Sequence, residues 1–115
     1  VQRLLSAAQP IFHGNGFDLL ATFTMLNERS MVGILNVAFD RRIEREVSAA
    51  QRCYEQVLER LMALGYPPYR TAPCGMPLLR TEGDTFWELA RDIKQALDPG
   101  DILARGRYIP PLNGD

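Results

Sequence analysis

Residues 17–25 read FDLLATFTM, and apolar and polar side chains alternate along them. One face carries Phe17, Leu19, Ala21, Phe23 and Met25. On the other face only Leu20 breaks the polar pattern, so a period of two predicts a half-buried β-strand. Residues 26–29, LNER, predict a polar turn, and residues 30–39, SMVGILNVAF, predict a second strand that is apolar on nearly both faces. The pair predicts an antiparallel hairpin whose second strand needs a further neighbour, because such strands are usually covered on both sides.

Helical patterns flank this hairpin. Before it, apolar residues recur at helical spacing from Val1 to Phe12, and we expect Pro10 to kink or shorten that helix. After it, Asp40 suits an N-cap, and an amphipathic pattern follows. The apolar face of that pattern consists of Ile43, Val47, Ala50, Cys53, Tyr54, Val57, Leu58, Leu61 and Leu64. The order helix, strand, strand, helix predicts an α+β fold: an antiparallel sheet with helices on one face, as in half of a ferredoxin-like sandwich.

The remaining segments have weaker patterns. Residues 13–16, HGNG, follow a helix and lack Gly-x-Gly-x-x-Gly spacing, so they predict a helix end and turn rather than a phosphate-binding loop. Residues 71–77, TAPCGMP, are rich in proline and glycine, which predicts irregular structure. Asp84 or Thr85 can cap a last helix that ends before residues 98–100, DPG. Residues 101–115 predict an extended strip that needs a surface to lie against.

Composition excludes several function classes. A net charge of −1 provides no field to attract nucleic acid or an anionic membrane. The two cysteines, Cys53 and Cys74, have no metal-ligand spacing, and we expect no metal site. No apolar run approaches the ~18 residues typical of a membrane span. We therefore expect a soluble protein of the cytoplasm or periplasm, and a helical core cysteine such as Cys53 favours the reducing cytoplasm.

The candidate site lies in residues 65–71, GYPPYRT. Gly65 should end the preceding helix, and Pro67 and Pro68 cannot continue it. Tyr69 and Arg70 are then expected to begin an extended run with little backbone freedom, which suits two groups that must meet a ligand in fixed geometry. The alternative is a helix stop followed by an ordinary surface strand.

Two stretches together, residues 65–71 and residues 96–107 (ALDPGDILARGR), resemble the C-terminal end of the vanillyl-alcohol oxidase and 4-cresol dehydrogenase (hydroxylating) family of FAD-linked oxidoreductases. Residues 17–24 are similar to the matching stretch of that family, so the resemblance extends over nearly the whole chain in the same order. The phrase ALDPGDILARGR is shared more widely among FAD-linked oxidases. The Tyr-Arg pair after a Gly-Tyr-Pro turn narrows the resemblance to the phenol-oxidising branch.

The resemblance implies a two-domain protein several times this length, in which a cap domain covers the substrate and a second domain binds FAD. Residues 1–66 resemble the last part of the cap, and residues 67–115 resemble the segment that returns to the FAD-binding domain. The chain begins at Val1 within a helical pattern, which also predicts a piece of a longer polypeptide, with a processed terminus as the alternative.

The family oxidises para-substituted phenols by moving hydride from the benzylic carbon to flavin N5, which leaves a quinone methide. The resemblance implies that Tyr69 hydrogen-bonds the phenolate and that Arg70 lies beside both substrate and flavin, so Arg70 is a catalytic and a cofactor-binding candidate. Arg107 matches a basic residue near the flavin edge. Donors around a phenolate and positive charge near the flavin are what this reaction requires.

The FAD-binding fold, any covalent flavin tether and the general base would lie upstream of Val1. We therefore expect the isolated chain neither to bind FAD tightly nor to turn over substrate. The implied partners are a phenolic substrate, the rest of the flavoprotein, a second copy in a homodimer and, in some members, a cytochrome c subunit. The phenol and the electron acceptor stay open. A different class of function also stays open: a free-standing α+β module, with its own closed core, that binds a ligand or dimerises without catalysis.

Overall fold

The computed structural model describes residues 1–79 and 84–109. Its elements are α1 (Gln2–Gly14), β1 (Leu20–Met25), β2 (Met31–Asn36), α2 (Glu44–Ala63), a 3₁₀ helix (Pro73–Leu79) and α3 (Thr85–Leu97). The chain forms two compact units, Val1–Tyr69 and Arg70–Asp115, and the second is described over residues 70–79 and 84–109. The predicted α+β class and the order helix, strand, strand, helix are confirmed.

The core of the first unit lies between its two helices. Ala8 and Phe12 of α1 pack with Cys53 and Val57 of α2 in one buried cluster. Full burial of a side chain such as Phe12 contributes about 1.5–3 kcal/mol relative to leaving it exposed. Partly buried apolar residues close the rim of this cluster: Ile11, Phe17, Leu19, Leu35, Val37 and Leu61.

The hairpin is antiparallel, as predicted, and β1 and β2 pair from Leu20 opposite Asn36 to Met25 opposite Met31. In the connecting turn, Asn27 Oδ1 accepts hydrogen bonds from the backbone N–H groups of Arg29 and Ser30, each 2.9 Å long. Within the described residues β2 has β1 as its sole neighbour, so the further neighbour that its apolar pattern calls for is not among them.

One cross-strand pair is unusually close. Phe23 lies opposite Gly33, and its ring covers the glycine so tightly that a Cβ at position 33 would stand 2.8 Å from the ring carbon Cε1. A real Cβ does not approach another heavy atom that closely. Glycine at position 33 therefore provides room for the aromatic ring on this face of the hairpin.

The predicted N-cap of α2 is wrong. The helix begins at Glu44 and its N-cap residue is Ile43, which provides no side-chain cap. Asp40 instead binds Arg42 through the backbone N–H at 2.9 Å and through the guanidinium at 2.7 Å. Because this local pair occupies its carboxylate, Asp40 closes a turn ahead of the helix and does not cap it.

The first helix ends in a turn at residues 15–16, as predicted. The helix continues past Pro10 to Gly14, and Gly16 follows in the left-handed region with φ +83°. The Phe17 N–H donates to the Phe12 carbonyl at 2.9 Å, which closes the helix end in the pattern of a Schellman motif.

The second unit contains two further departures from the sequence predictions. Residues 73–79 form a 3₁₀ helix rather than irregular structure, with Met76 buried within it. Pro77 lies inside this helix, where it has no backbone N–H to donate. Residues 101–109 turn repeatedly instead of running extended, and residues 110–115 lie outside the described part.

The last helix, α3, is confirmed. Asp84 is its N-cap and accepts a hydrogen bond from the Phe86 N–H at 2.9 Å. No residue of α3 is buried. Its apolar residues are exposed at helical spacing, at Phe86, Leu89, Ile93 and Leu97. In the described ranges, no helix has both the length and the apolar character required to cross a bilayer.

Candidate functional site

The glycine of the GYPPYRT stretch fixes where α2 ends. Gly65 has φ +82°, and its N–H donates to the Met62 carbonyl at 2.9 Å. The Tyr66 N–H donates to the Leu61 carbonyl, also at 2.9 Å, so the two hydrogen bonds form a Schellman motif. This part of the sequence prediction is confirmed, and it gives the segment that carries the candidate residues a fixed starting point.

The backbone at the candidate residues themselves differs from the prediction. The chain bends at Tyr69 and Arg70 rather than beginning an extended run. The reason is local. A proline restrains its own φ and the residue before it, so Pro67 and Pro68 constrain the chain up to position 68 and leave Tyr69 unrestrained.

Both candidate side chains lie on the surface of the chain. Tyr69 is 74% exposed, and Arg70 is exposed as well. They are adjacent in sequence and stand at the division between the two units, with Tyr69 the last residue of the first and Arg70 the first residue of the second. Tyr69 and Arg70 thus place a phenol hydroxyl and a guanidinium at neighbouring positions of one bend.

Arg107, the third candidate, lies in the turn-rich segment after α3. Its N–H donates to the Ala104 carbonyl at 2.9 Å, and its guanidinium carbon stands 5.7 Å from the centre of the Tyr108 ring. That separation is within the range of a cation–π contact. Arg107 is exposed, so its charge is accessible from outside the segment.

The segment after α3 is hydrogen-bonded to the carboxylate of Asp98, a residue that the sequence pattern does not mark as functional. Asp98, only 8% exposed, accepts hydrogen bonds from Lys94 Nζ and from the backbone N–H groups of Ile102 (3.0 Å) and Leu103 (2.8 Å). Lys94 and these two amides lower the pKa of Asp98 to about 2. A signal was present in the sequence, because a lysine four residues before an aspartate on a helix is a pairing distance.

Other chemistry is sparse. Within residues 1–79 and 84–109, no group of three or more His, Cys, Asp or Glu side chains is placed to hold a metal ion. A cleft of about 440 Å³ in the first unit is lined by Arg45, Glu46 and Arg52, among others, but by none of the three candidate residues. Cys53 is fully buried, and burial raises the pKa of its thiol, which fits a core role.

Comparison with known proteins gives a consistent result. No family model matches the chain. It is 31% identical over 109 residues, 94% of its length, to the 4-cresol dehydrogenase [hydroxylating] flavoprotein subunit of Pseudomonas putida. The crystal structure of p-cresol methylhydroxylase with substrate bound superposes on 99% of the chain with a TM-score of 0.83 and 30% sequence identity. The chain is therefore homologous to the flavoprotein subunit of 4-cresol dehydrogenase over nearly its whole length.

A second relative is named for a different reaction. The 1'-carboxy-chondrochloren decarboxylase of Chondromyces crocatus is 36% identical over 81 residues, which cover 70% of this chain. The chain spans 15% of that protein, 21% of the dehydrogenase subunit and 22% of the solved structure. The family resemblance drawn from residues 17–24, 65–71 and 96–107 is therefore confirmed, and the roles of Tyr69, Arg70 and Arg107 stay predictions.

Proposed function

We propose that this chain is the C-terminal part of an FAD-dependent oxidoreductase that oxidises para-substituted phenols. In this proposal residues 1–66 complete a cap over the substrate, and residues 67–115 return to the FAD-binding domain. The alignment over 94% of the chain supports it. The exposed apolar residues of α3 support it as well, because a free-standing module with a closed core would be expected to bury them.

The observation that carries the proposal is the exposed Tyr69–Arg70 pair on one bend, in a chain of this family. The Tyr69 hydroxyl donates a hydrogen bond to the phenolate oxygen of the substrate. The positive charge of the Arg70 guanidinium favours the same ionised form. A phenolate feeds charge into the ring, so the hydride leaves the benzylic carbon more easily and the substrate becomes a quinone methide.

The residues fit a flavin by the chemistry of their donors. Arg70 and Arg107 both present exposed guanidiniums, and positive charge is what a flavin needs where reduction builds up negative charge. FAD, when bound, supplies the acceptor for the hydride. The rest of the polypeptide is proposed to hold most of the cofactor, and this chain contributes charge at its edge.

The identity to the decarboxylase supports a second candidate reaction. Removal of hydride from a carboxylated phenolic substrate, followed by loss of carbon dioxide instead of addition of water, would use the same Tyr69 and Arg70. Carbon dioxide release from carboxylated substrates separates the two reactions.

The proposed assembly follows from the same relatives. One of them is named as a flavoprotein subunit, which supports a second, electron-accepting subunit such as a cytochrome c. A homodimer of the flavoprotein is part of the proposal as well. Sedimentation of the full-length protein, alone and with a c-type cytochrome, tests both.

The test of the reaction is a substitution at Tyr69 in the full-length polypeptide. Removing one oxyanion donor costs about 10²–10³ in rate, so Tyr69→Phe should slow flavin reduction by 4-cresol by that factor under single-turnover conditions. Arg70→Met should slow it at least as much. The control is Tyr66→Phe, which removes a hydroxyl three residues away on the same segment. A Tyr69→Phe enzyme as fast as this control would refute the assigned role.

The isolated 115-residue chain provides a companion measurement. Titrated with FAD, it should leave the flavin fluorescence nearly unquenched, because most of the cofactor site is proposed to lie elsewhere. Tight, saturable quenching would contradict that division of the site.

A further inference from the structure

The segment after α3 is held by a charged pair rather than by apolar packing. Asp98 is the buried charged residue of the described chain, and its carboxylate accepts three hydrogen bonds, from Lys94 Nζ and from the N–H groups of Ile102 and Leu103. The Ile102 and Leu103 side chains are 81% and 68% exposed, so their burial contributes little to holding this backbone.

Lys94, in the last turn of α3, binds the same loop. Besides Asp98, its ammonium donates to the Leu103 carbonyl at 2.8 Å and lies 3.1 Å from a carboxylate oxygen of Asp101. Both backbone polar groups of Leu103 are thus fixed by the pair, the N–H by Asp98 and the carbonyl by Lys94. Charge-assisted hydrogen bonds of this kind are stronger than neutral ones.

The loop that the pair contacts and the turns after it contain backbone conformations that are unfavourable by themselves. Asp101, Ala104 and Tyr108 have φ values of +47°, +50° and +69°, in the left-handed region that non-glycine residues rarely adopt. Such conformations persist only where the surrounding structure determines them strongly. The ion pair between Arg105 and Asp101, 3.6 Å long and largely exposed, is too weak to supply that constraint.

We infer that Asp98 and Lys94 act as a clamp that positions Arg107. The clamp fixes residues 101–103, the turn closed by Arg107 N–H and the Ala104 carbonyl follows at once, and Arg107 is presented from that turn. This inference rests on the proposed function, in which Arg107 serves a bound flavin. Asp98 and Lys94 are positioning residues, because neither is proposed to touch substrate or cofactor.

The clamp is intact over a wide pH range. The Asp98 pKa lies near 2, below its unfolded value of about 4, so its contribution is complete above pH 4 and is lost as the pH falls toward 2. The Lys94 pKa is raised, chiefly by Asp98, so its contribution is complete below the ordinary lysine pKa and is lost only at still higher pH. Titration therefore does not open the loop near neutrality.

The test uses the full-length flavoprotein with Asp98→Asn, Lys94→Met and the control Asp92→Asn, an exposed carboxylate on the same helix. Hydrogen exchange of the Ile102 and Leu103 amides should accelerate by about tenfold or more in the first two variants and stay unchanged in the control. Unchanged exchange in both clamp variants would overturn the clamp.

A double-mutant cycle with Arg107→Met shows whether the clamp acts through Arg107. Asp98→Asn should slow flavin reduction by about tenfold or more with wild-type Arg107 and have little further effect once Arg107 is removed. Equal losses in both backgrounds would mean general destabilisation and overturn the positioning role. If Arg107→Met alone changes neither the rate nor the flavin potential, the proposed role of Arg107 is wrong, and the exchange measurement by itself decides the clamp.

Discussion

The two units of the chain are stabilised in different ways. In Val1–Tyr69, two helices enclose Ala8, Phe12, Cys53 and Val57, and the hairpin closes the rim of that cluster. In the second unit α3 buries none of its residues, and the loop after it is hydrogen-bonded to the buried carboxylate of Asp98. The first unit thus has a buried apolar cluster, whereas the segment after α3 in the second unit is held by a few charged hydrogen bonds.

This difference indicates what each unit can do by itself. A buried apolar core is stabilised by contacts within its own unit. Exposed apolar residues at helical spacing are stabilised only when another surface covers them. The first unit therefore has a buried core of its own, formed between α1 and α2. The second resembles a part that is completed by contact with the rest of the proposed flavoprotein.

The largest expected effect tests the first half of this comparison. Phe12→Ala should lower the free energy of unfolding by about 3–5 kcal/mol, because it removes a fully buried ring and leaves a cavity. Leu97→Ala, at a position 79% exposed on α3, should change it by less than about 0.5 kcal/mol. Urea denaturation of the isolated chain, followed by circular dichroism, measures both. Similar losses for the two variants would contradict the contrast between the units.

The rates at which Cys53 and Cys74 react with a thiol reagent test the same contrast without any substitution. Cys53 is fully buried with a raised pKa, and Cys74 is exposed. A thiol reagent should modify Cys74 about 100-fold faster than Cys53, whose reaction requires opening of the core. Mass spectrometry of timed, quenched samples separates the two rates. Comparable rates would show that the core around Cys53 opens as fast as an exposed thiol reacts, which would contradict a stable core in the first unit.

A smaller effect sharpens the account of the segment that leads to Tyr69. Gly65→Ala should cost about 1 kcal/mol, since φ +82° is unfavourable for alanine although no atom obstructs the new methyl group. Gly14→Ala, equally unobstructed but at a helical position, is the matched control and should be neutral or stabilise by up to about 1 kcal/mol. Thermal unfolding of the pair decides, and equal melting temperatures would mean that the left-handed turn contributes nothing.

Most of the fold could be predicted because its signals are periodic. The alternation in residues 17–25 and the helical stripes of α1, α2 and α3 depend on many residues each, so single exceptions such as Leu20 do not hide them. Features that depend on one side chain were harder. Asp40 could cap a helix or bind Arg42, and nothing in the local sequence decides between these partners.

The candidate site was less accessible to this reasoning. Tyr69, Arg70 and Arg107 were chosen through a family resemblance, since an isolated Tyr-Arg pair carries no periodicity or ligand spacing. Their local backbone could not be predicted, because the restraint imposed by Pro68 ends one residue before Tyr69. At Asp98 the sequence predicts only a helix end, because its role depends on the N–H groups of Ile102 and Leu103, which reach its carboxylate after a turn.

The tight contact between Phe23 and Gly33 has a consequence for how this hairpin can diversify. A side chain at position 33 would collide with the ring, and a smaller residue at position 23 would leave the glycine uncovered. A substitution at either position alone should therefore destabilise the hairpin. Among natural descendants of this chain, the two positions should accordingly be inherited together, and a replacement at one should be accompanied by a compensating replacement at the other.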